Sequence, residues 1–166
     1  VLNPHSKGRL MLRLSKLADY ATVLLVQLGR HDGLATATLL AAETGVPEPT
    51  VAKLLKGLAA DRLIASHRGA RGGYQLARPL DEISVATVIQ SVDGPIAITA
   101  CVENRAGDVR GCDAQGLCAL SGQWDSVNDA ILEALEAISL ADMARSRAAR
   151  PANGCAGQNL CTGKEI

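Results

Sequence analysis

The sequence predicts a mainly α-helical chain: a winged helix-turn-helix, then an irregular cysteine-bearing loop, then a long dimerisation helix. Three observations carry this. Apolar residues recur at helical spacing in three successive segments, and a tight glycine turn joins the second to the third, as in a helix-turn-helix. A basic, glycine-rich hairpin, HRGARGGYQL (His67–Leu76), follows in the position of a wing. Cys101, Cys112 and Cys118 then stand in a polar stretch without periodicity, CVENRAGDVRGCDAQGLCALSGQW. Hydrophobic residues make up 48% of the 166, yet the aromatics are only Tyr20, Tyr74 and Trp124. The core must therefore be Leu, Ile, Val and Ala, which suits packed helices better than a β-sandwich.

Residues 1–10, VLNPHSKGRL, lack an apolar secretory core and read as an expression remnant or upstream extension, with Met11 the natural start. Ser15 is a suitable N-cap, after which Leu17, Ala18, Ala21, Leu24, Leu25 and Leu28 keep helical spacing up to Gly29 and Asp32-Gly33. A short second helix is expected near Thr38–Thr44, ended by Gly45. Pro47 and Pro49 fit a first helical turn, so a third helix starts there and carries Val51, Leu54, Leu55 and Leu58 on one stripe. Leu63–His67 and Tyr74–Ala77 read as strands, with Gly69, Gly72 and Gly73 between them, where positive φ is tolerated. Ser84 caps a further helix bearing Val85, Val88, Ile89 and Val92, stopped at Asp93-Gly94-Pro95.

After the cysteine loop, about 99–120, a stripe resumes with Trp124, Val127, Ile131, Leu135 and Ile138, and charged residues fall between. This helix is longer than a small winged module needs, which assigns it to dimerisation; packing within the chain is the alternative. Ser139 starts a last short helix, Leu140–Arg147. The chain thus divides into an extension (1–10), a winged helix-turn-helix (11–80), an effector loop with the dimerisation helix (81–147) and a tail (148–166) whose composition predicts disorder.

The net charge of zero hides an asymmetry. Residues 1–80 hold 11 Lys and Arg against 5 Asp and Glu, a net +6, and residues 81–166 hold 6 against 12, a net −6. A basic half suits phosphate contacts and an acidic half a solvated effector region; ordinary surface charge is the bland alternative. No apolar run approaches the roughly 20 residues of a bilayer span, so a cytoplasmic protein is expected. No P-loop, GxGxxG or GxSxG occurs, and neither His31 nor His67 belongs to a nucleophile constellation, so an enzyme is not expected.

On the third helix the inward stripe leaves Glu48, Pro49, Thr50, Lys53 and Gly57 outward. A recognition helix reads bases from its N-terminal residues, which makes Thr50 and Lys53 the candidate readers. Lys56 and Arg62 suit the phosphate backbone. Arg68 and Arg71 flank the glycine tip of the wing, where Arg is favoured in a narrow minor groove. A solvent-exposed hairpin with incidental charge is the competing account.

Ten residues separate Cys101 from Cys112 and five separate Cys112 from Cys118. This is not the close Cys-x2-Cys pairing of most structural zinc sites. Long glycine-bearing spacers suit an iron–sulfur cluster, with zinc, redox thiols or inert cysteines as alternatives. Cys155 and Cys161 repeat the five-residue spacer in the tail and read as exposed thiols, or else as a spare ligand or redox pair.

Five segments together carry a family resemblance: LRLSKLADYATVLL (Leu12–Leu25), the helix-turn-helix, HRGARGGYQL, ISVATVIQSVDGP (Ile83–Pro95) and the three-cysteine loop. Over about residues 11–147 the chain resembles the Rrf-two family of bacterial winged-helix regulators, and its opening segment resembles the subgroup that regulates the SUF iron–sulfur assembly operon. The resemblance implies a homodimer, a pseudo-palindromic DNA site and a cluster on Cys101, Cys112 and Cys118. Members that regulate the ISC operon have a shorter first spacer and a His three residues after the third cysteine, where this chain has Ser121. In nitric-oxide-sensing members an Asp from the partner's first helix completes the ligand set, and Asp19 aligns with it. The resulting expectation is a dimeric, cluster-sensing repressor of iron–sulfur assembly genes, with [4Fe-4S] preferred and [2Fe-2S] open. Nitric-oxide or redox sensing, and a zinc-dependent or metal-free regulator, are the alternatives.

Overall fold

In the computed structural model the described residues are 14–69, 72–99, 102, 119–120 and 122–148. They form six α-helices and one hairpin. Helix α1 (Lys16–Leu28) starts at Ser15, whose hydroxyl accepts from the Ala18 N–H at 3.0 Å. Helix α2 (Ala37–Thr44) starts at Thr36, whose hydroxyl accepts from the Leu39 N–H, one residue earlier than the apolar pattern suggests. It ends at Gly45, φ +72°, where a side chain would strain the backbone. Helix α3 (Glu48–Ala60) carries Pro49 in its first turn, where a missing N–H costs nothing.

Helix α3 closes in a Schellman motif: the Leu63 N–H donates to Leu58 O at 2.9 Å and the Arg62 N–H to Ala59 O at 3.2 Å. Arg62 takes the left-handed position, φ +58°, normally given to glycine. The backbone at the start of the wing is therefore set by this turn.

The wing is the antiparallel pair β1 (Ile64–His67) and β2 (Gly73–Leu76), in register Ile64↔Leu76 to His67↔Gly73. A third piece of backbone joins it, because Ala35 and Tyr74 exchange both N–H···O bonds at 2.9 and 2.8 Å. The hairpin is thereby bonded to the α1–α2 connection. Gly73 has to be small at this crossing: a Cβ there would lie 2.9 Å from the Ala35 carbonyl oxygen. Gly73→Ala is expected to cost about 1–3 kcal/mol by forcing that crossing apart, seen as a lowered Tm; an unchanged Tm would show that the hairpin yields freely.

A 3-10 turn (Leu80–Glu82) leads to helix α4 (Val85–Asp93), capped by Ser84 as the sequence suggests. Helices α5 (Gln123–Glu136) and α6 (Leu140–Ala148) complete the chain. The core is aliphatic: Leu24, Leu25, Leu28, Leu40, Leu55, Leu58, Leu63, Ile83, Leu140, Val51 and Val88 are all sealed from solvent. Each such side chain contributes about 1.5–3 kcal/mol of transfer free energy. Leu140 enters this core because Ser84 and Ser139 form a bridge, the Val85 N–H donating to Ile138 O and the Leu140 N–H to Ile83 O, both at 2.9 Å. Ser139 and Asp142 cap α6 reciprocally, and those bonds together with Arg145 hold the Asp142 carboxyl at about 2.

Helix α5 uses its apolar stripe only in part. It ends at Glu136, so Ile138 falls outside it. Leu135 packs against the core, whereas Trp124 and Val127 are 39% and 44% exposed. The buried residue on this helix is Asn128, 5% exposed.

Candidate nucleic-acid interface and cysteine loop

Val51, Leu54, Leu55 and Leu58 face the core as the period requires, which turns Lys53, Lys56 and Gly57 to solvent. Lys53 and Lys56 are exposed on α3 and Thr50 is half-buried near its N-terminus. Arg68 is exposed at the end of β1, immediately before Gly69, φ +119°. Arg71 lies outside the described residues. Thr50, the α3 lysines and Arg68 are thus cationic or hydrogen-bonding groups on two elements packed on the core, a composition suited to a phosphate-lined groove.

Three polar contacts that the sequence does not advertise stiffen the helix-turn-helix. The Thr38 hydroxyl of α2 donates to Glu48 Oε1 of α3 at 2.6 Å. Behind them, Gln27 Nε2 donates to Glu43 Oε2 at 3.0 Å and His31 Nε2 lies 2.9 Å from the same oxygen. The amide of Gln27 and then the imidazole of His31 hold the Glu43 carboxyl below its ordinary range. Glu43 therefore ties α2 to Gln27 of α1 and to His31 just beyond that helix.

Cys101, Cys112, Cys118 and Ser121, like Cys155 and Cys161, lie outside the described residues. What is described is how the chain enters the loop. The Asn128 side chain accepts from the Ile98 N–H at 3.2 Å and donates to Ile96 O at 3.1 Å. A buried amide on α5 thus grips the backbone three residues before Cys101 as a neighbouring strand would. Asn128→Ala leaves the half-buried Ile98 N–H and Ile96 C=O without this partner, for an expected loss of about 1 kcal/mol. Hydrogen exchange at the Ile98 amide should accelerate with it; an unchanged exchange rate would show that the segment is held by something else. Beside this grip lies a cleft of about 530 Å³ lined by Leu14, Ile89, Ile96, Ile98, Ile131 and Leu135 among others.

Asp19 is exposed in the first turn of α1, with its N–H bonded to Ser15 O at 3.2 Å. Among the described residues no three His, Cys, Asp or Glu side chains converge as metal ligands, and no helix is long and apolar enough to cross a membrane.

A family model, Rrf2, described as an iron-dependent transcriptional regulator, matches residues 14–146. The chain belongs to the Rrf2 family. It is a DNA-binding transcriptional regulator and not an enzyme. A candidate helix-turn-helix-type transcriptional regulator of Mycobacterium tuberculosis (strain ATCC 25618 / H37Rv), Rv1287, is 38% identical over 135 residues, 80% of this chain and 81% of the relative. The helix-turn-helix-type transcriptional regulator IscR of Sodalis glossinidius (strain morsitans) is 29% identical over 134 residues, 80% of this chain and 78% of its own length. Among solved structures, IscR of T. potens superposes with a TM-score of 0.61 at 27% identity, covering 86% of this chain and 94% of that one. CymR, the global cysteine regulator of B. subtilis, gives 0.62 at 26% identity, covering 81% and 98%. The fold is therefore the winged-helix fold of Rrf2 regulators.

Proposed function

We propose that this Rrf2 regulator acts in the cytoplasm as a homodimeric repressor of iron–sulfur assembly genes. Its affinity for a pseudo-palindromic operator would be set by an iron–sulfur cluster on Cys101, Cys112 and Cys118. The observation that carries the reading is Asn128: one helix, α5, both grips the entry to the cysteine loop and leaves Trp124 and Val127 uncovered for a second chain. Whatever orders the loop is thereby coupled to the helix that would form the dimer seam.

The donor chemistry fits. Three thiolates suit iron–sulfur ligation, and glycine-bearing spacers expose the backbone N–H groups that such sulfurs use. The family description, iron-dependent, and the similarity to IscR support an iron-bearing cofactor; on the ligand set alone we prefer [4Fe-4S], with [2Fe-2S] open. When bound, the group supplies an iron- and oxygen-sensitive clasp on the loop. The chain supplies the rest: Asn128 transmits order in the loop to α5, and α5 with α4 fixes the head that carries α3 and the wing. The resulting change in operator affinity can be no larger than the differential affinity of the cluster for the two states.

We place Asp19 as the fourth ligand, acting from the opposite subunit. Its exposure on the first turn of α1 leaves the carboxylate accessible to a second chain. A negative charge in a first turn also favours the helix dipole by about 0.3–1 kcal/mol, which is the competing explanation. Asp19→Ala should leave a folded dimer whose cluster is lost faster to oxygen or chelator. Mixed dimers of Asp19→Ala with Cys112→Ala subunits should retain one intact site; an Asp19→Ala homodimer that holds its cluster as tightly as the unaltered protein would remove Asp19 from the ligand set. The proposal as a whole is tested by the absorption spectrum of anaerobically purified protein with iron and sulfide analysis. A brown protein with both is expected, and a colourless one with stoichiometric zinc would overturn it.

A further inference from the structure

Glu48 is an acidic residue in a place where a DNA-binding protein can ill tolerate one. It is the first residue of α3 and exposed, at the end of the helix that enters the groove, and a carboxylate facing a polyanion weakens binding to every sequence. The structure does not leave it loose. Thr38 Oγ1, on the neighbouring helix α2, donates to Glu48 Oε1 at 2.6 Å, and among the described residues that is the partner the carboxylate has. One oxygen is thus anchored by a hydroxyl that is itself exposed at the start of α2, and Oε2 has no partner among the described residues.

The major groove offers few groups that welcome a carboxylate. Cytosine presents its N4 amine alone, whereas adenine pairs an amine with the N7 acceptor and guanine presents two acceptors. A carboxylate pinned through one oxygen, acceptor-only at the other, matches cytosine and is repelled by guanine. We propose that Glu48 reads a cytosine in each operator half-site, with Thr38 as the positioning residue that fixes the carboxylate before DNA arrives. Pre-fixing matters because a freely rotating glutamate would lose side-chain entropy on binding and discriminate less. This rests on α3 being the recognition helix.

Selection of sites from a random pool of double-stranded DNA, with the full chain at one salt concentration, tests it. The unaltered protein should prefer cytosine at one position per half-site by about tenfold, the scale of a single mismatch. Glu48→Gln should move that preference towards adenine, because a carboxamide both donates and accepts. Glu48→Ala should erase the preference at that position alone, and Thr38→Val should weaken it without moving it. If Glu48→Ala selects the same site as the unaltered protein, or binds all sequences more tightly with no position relaxed, Glu48 is no reader. Thr50→Ala and Lys53→Ala separate the two levels: if they change the selected site while the Glu48 variants do not, this inference falls alone. If none of them changes it, the assignment of α3 falls too.

Discussion

Replacing Cys101, Cys112 or Cys118 singly by alanine is expected to remove most of the iron, the sulfide and the colour of the anaerobic protein, while Cys155→Ala and Cys161→Ala leave all three in place. The effect should be close to all-or-none, because a cluster held by three thiolates loses a third of its sulfur ligation with any one of them, and the remaining donors cannot close the coordination shell. The five-residue spacer shared by Cys112–Cys118 and Cys155–Cys161 makes the contrast informative, since local spacing alone would not separate the pairs. What separates them is the entry to the loop. Ile96 and Ile98, upstream of Cys101, are held by Asn128. Circular dichroism should show the helices retained in all five variants, because among the described residues the buried core draws on α1 to α4, β1 and the start of α6. Iron and sulfide at the unaltered level in all three loop variants would remove these cysteines from the ligand set.

How much of this was legible in the chain depends on range. The helices, the wing and the aliphatic core follow from local signals: Ser15 and Ser84 cap as expected, and the 3.6-residue stripe of Val51, Leu54, Leu55 and Leu58 faces inward. The strands shift by one residue because the Schellman turn at Arg62 and the bridge to Ala35 decide where pairing begins. Thr38–Glu48 and Asn128 with Ile96 and Ile98 join residues 10, 32 and 30 apart, and no periodicity announces such pairs. Asn128 was hidden in another way: it is a polar residue beside an apolar stripe, where binary patterning assigns it to solvent, yet its amide replaces a missing strand partner. Arg62 illustrates the converse, since its charge suggests phosphate while its backbone serves the turn. Binary patterning also identifies the stripe from Trp124 to Ile138 without dividing its two edges, one packed on the core through Leu135 and one uncovered at Trp124 and Val127.

The largest effect on DNA should come from the cationic groups of α3 and the wing. Lys53→Ala, Arg68→Ala and Arg71→Ala are each expected to weaken operator binding by about 1–3 kcal/mol, roughly 5- to 150-fold. The salt dependence then sorts their roles. A side chain that meets only phosphate releases counterions and carries no sequence information, so its loss should lower the slope of log affinity against log salt by about one per site and weaken all sequences alike. Lys56, exposed one turn along α3, should behave this way on replacement by alanine. An Arg in the minor groove should also relax preference at A·T-rich positions, because the narrow groove concentrates the potential that attracts it. Thr50→Ala removes no charge, so it should leave the slope intact and change only which operator is preferred. The wing variants carry one further constraint. β2 is bonded to Ala35 in the α1–α2 connection, so the hairpin is tied to the helix-turn-helix, and the loss of Arg68 should not be rescued by repositioning of the hairpin. Binding, slope and preference unchanged in Thr50→Ala, Lys53→Ala, Arg68→Ala and Arg71→Ala together would mean that the DNA surface lies on another face of the molecule.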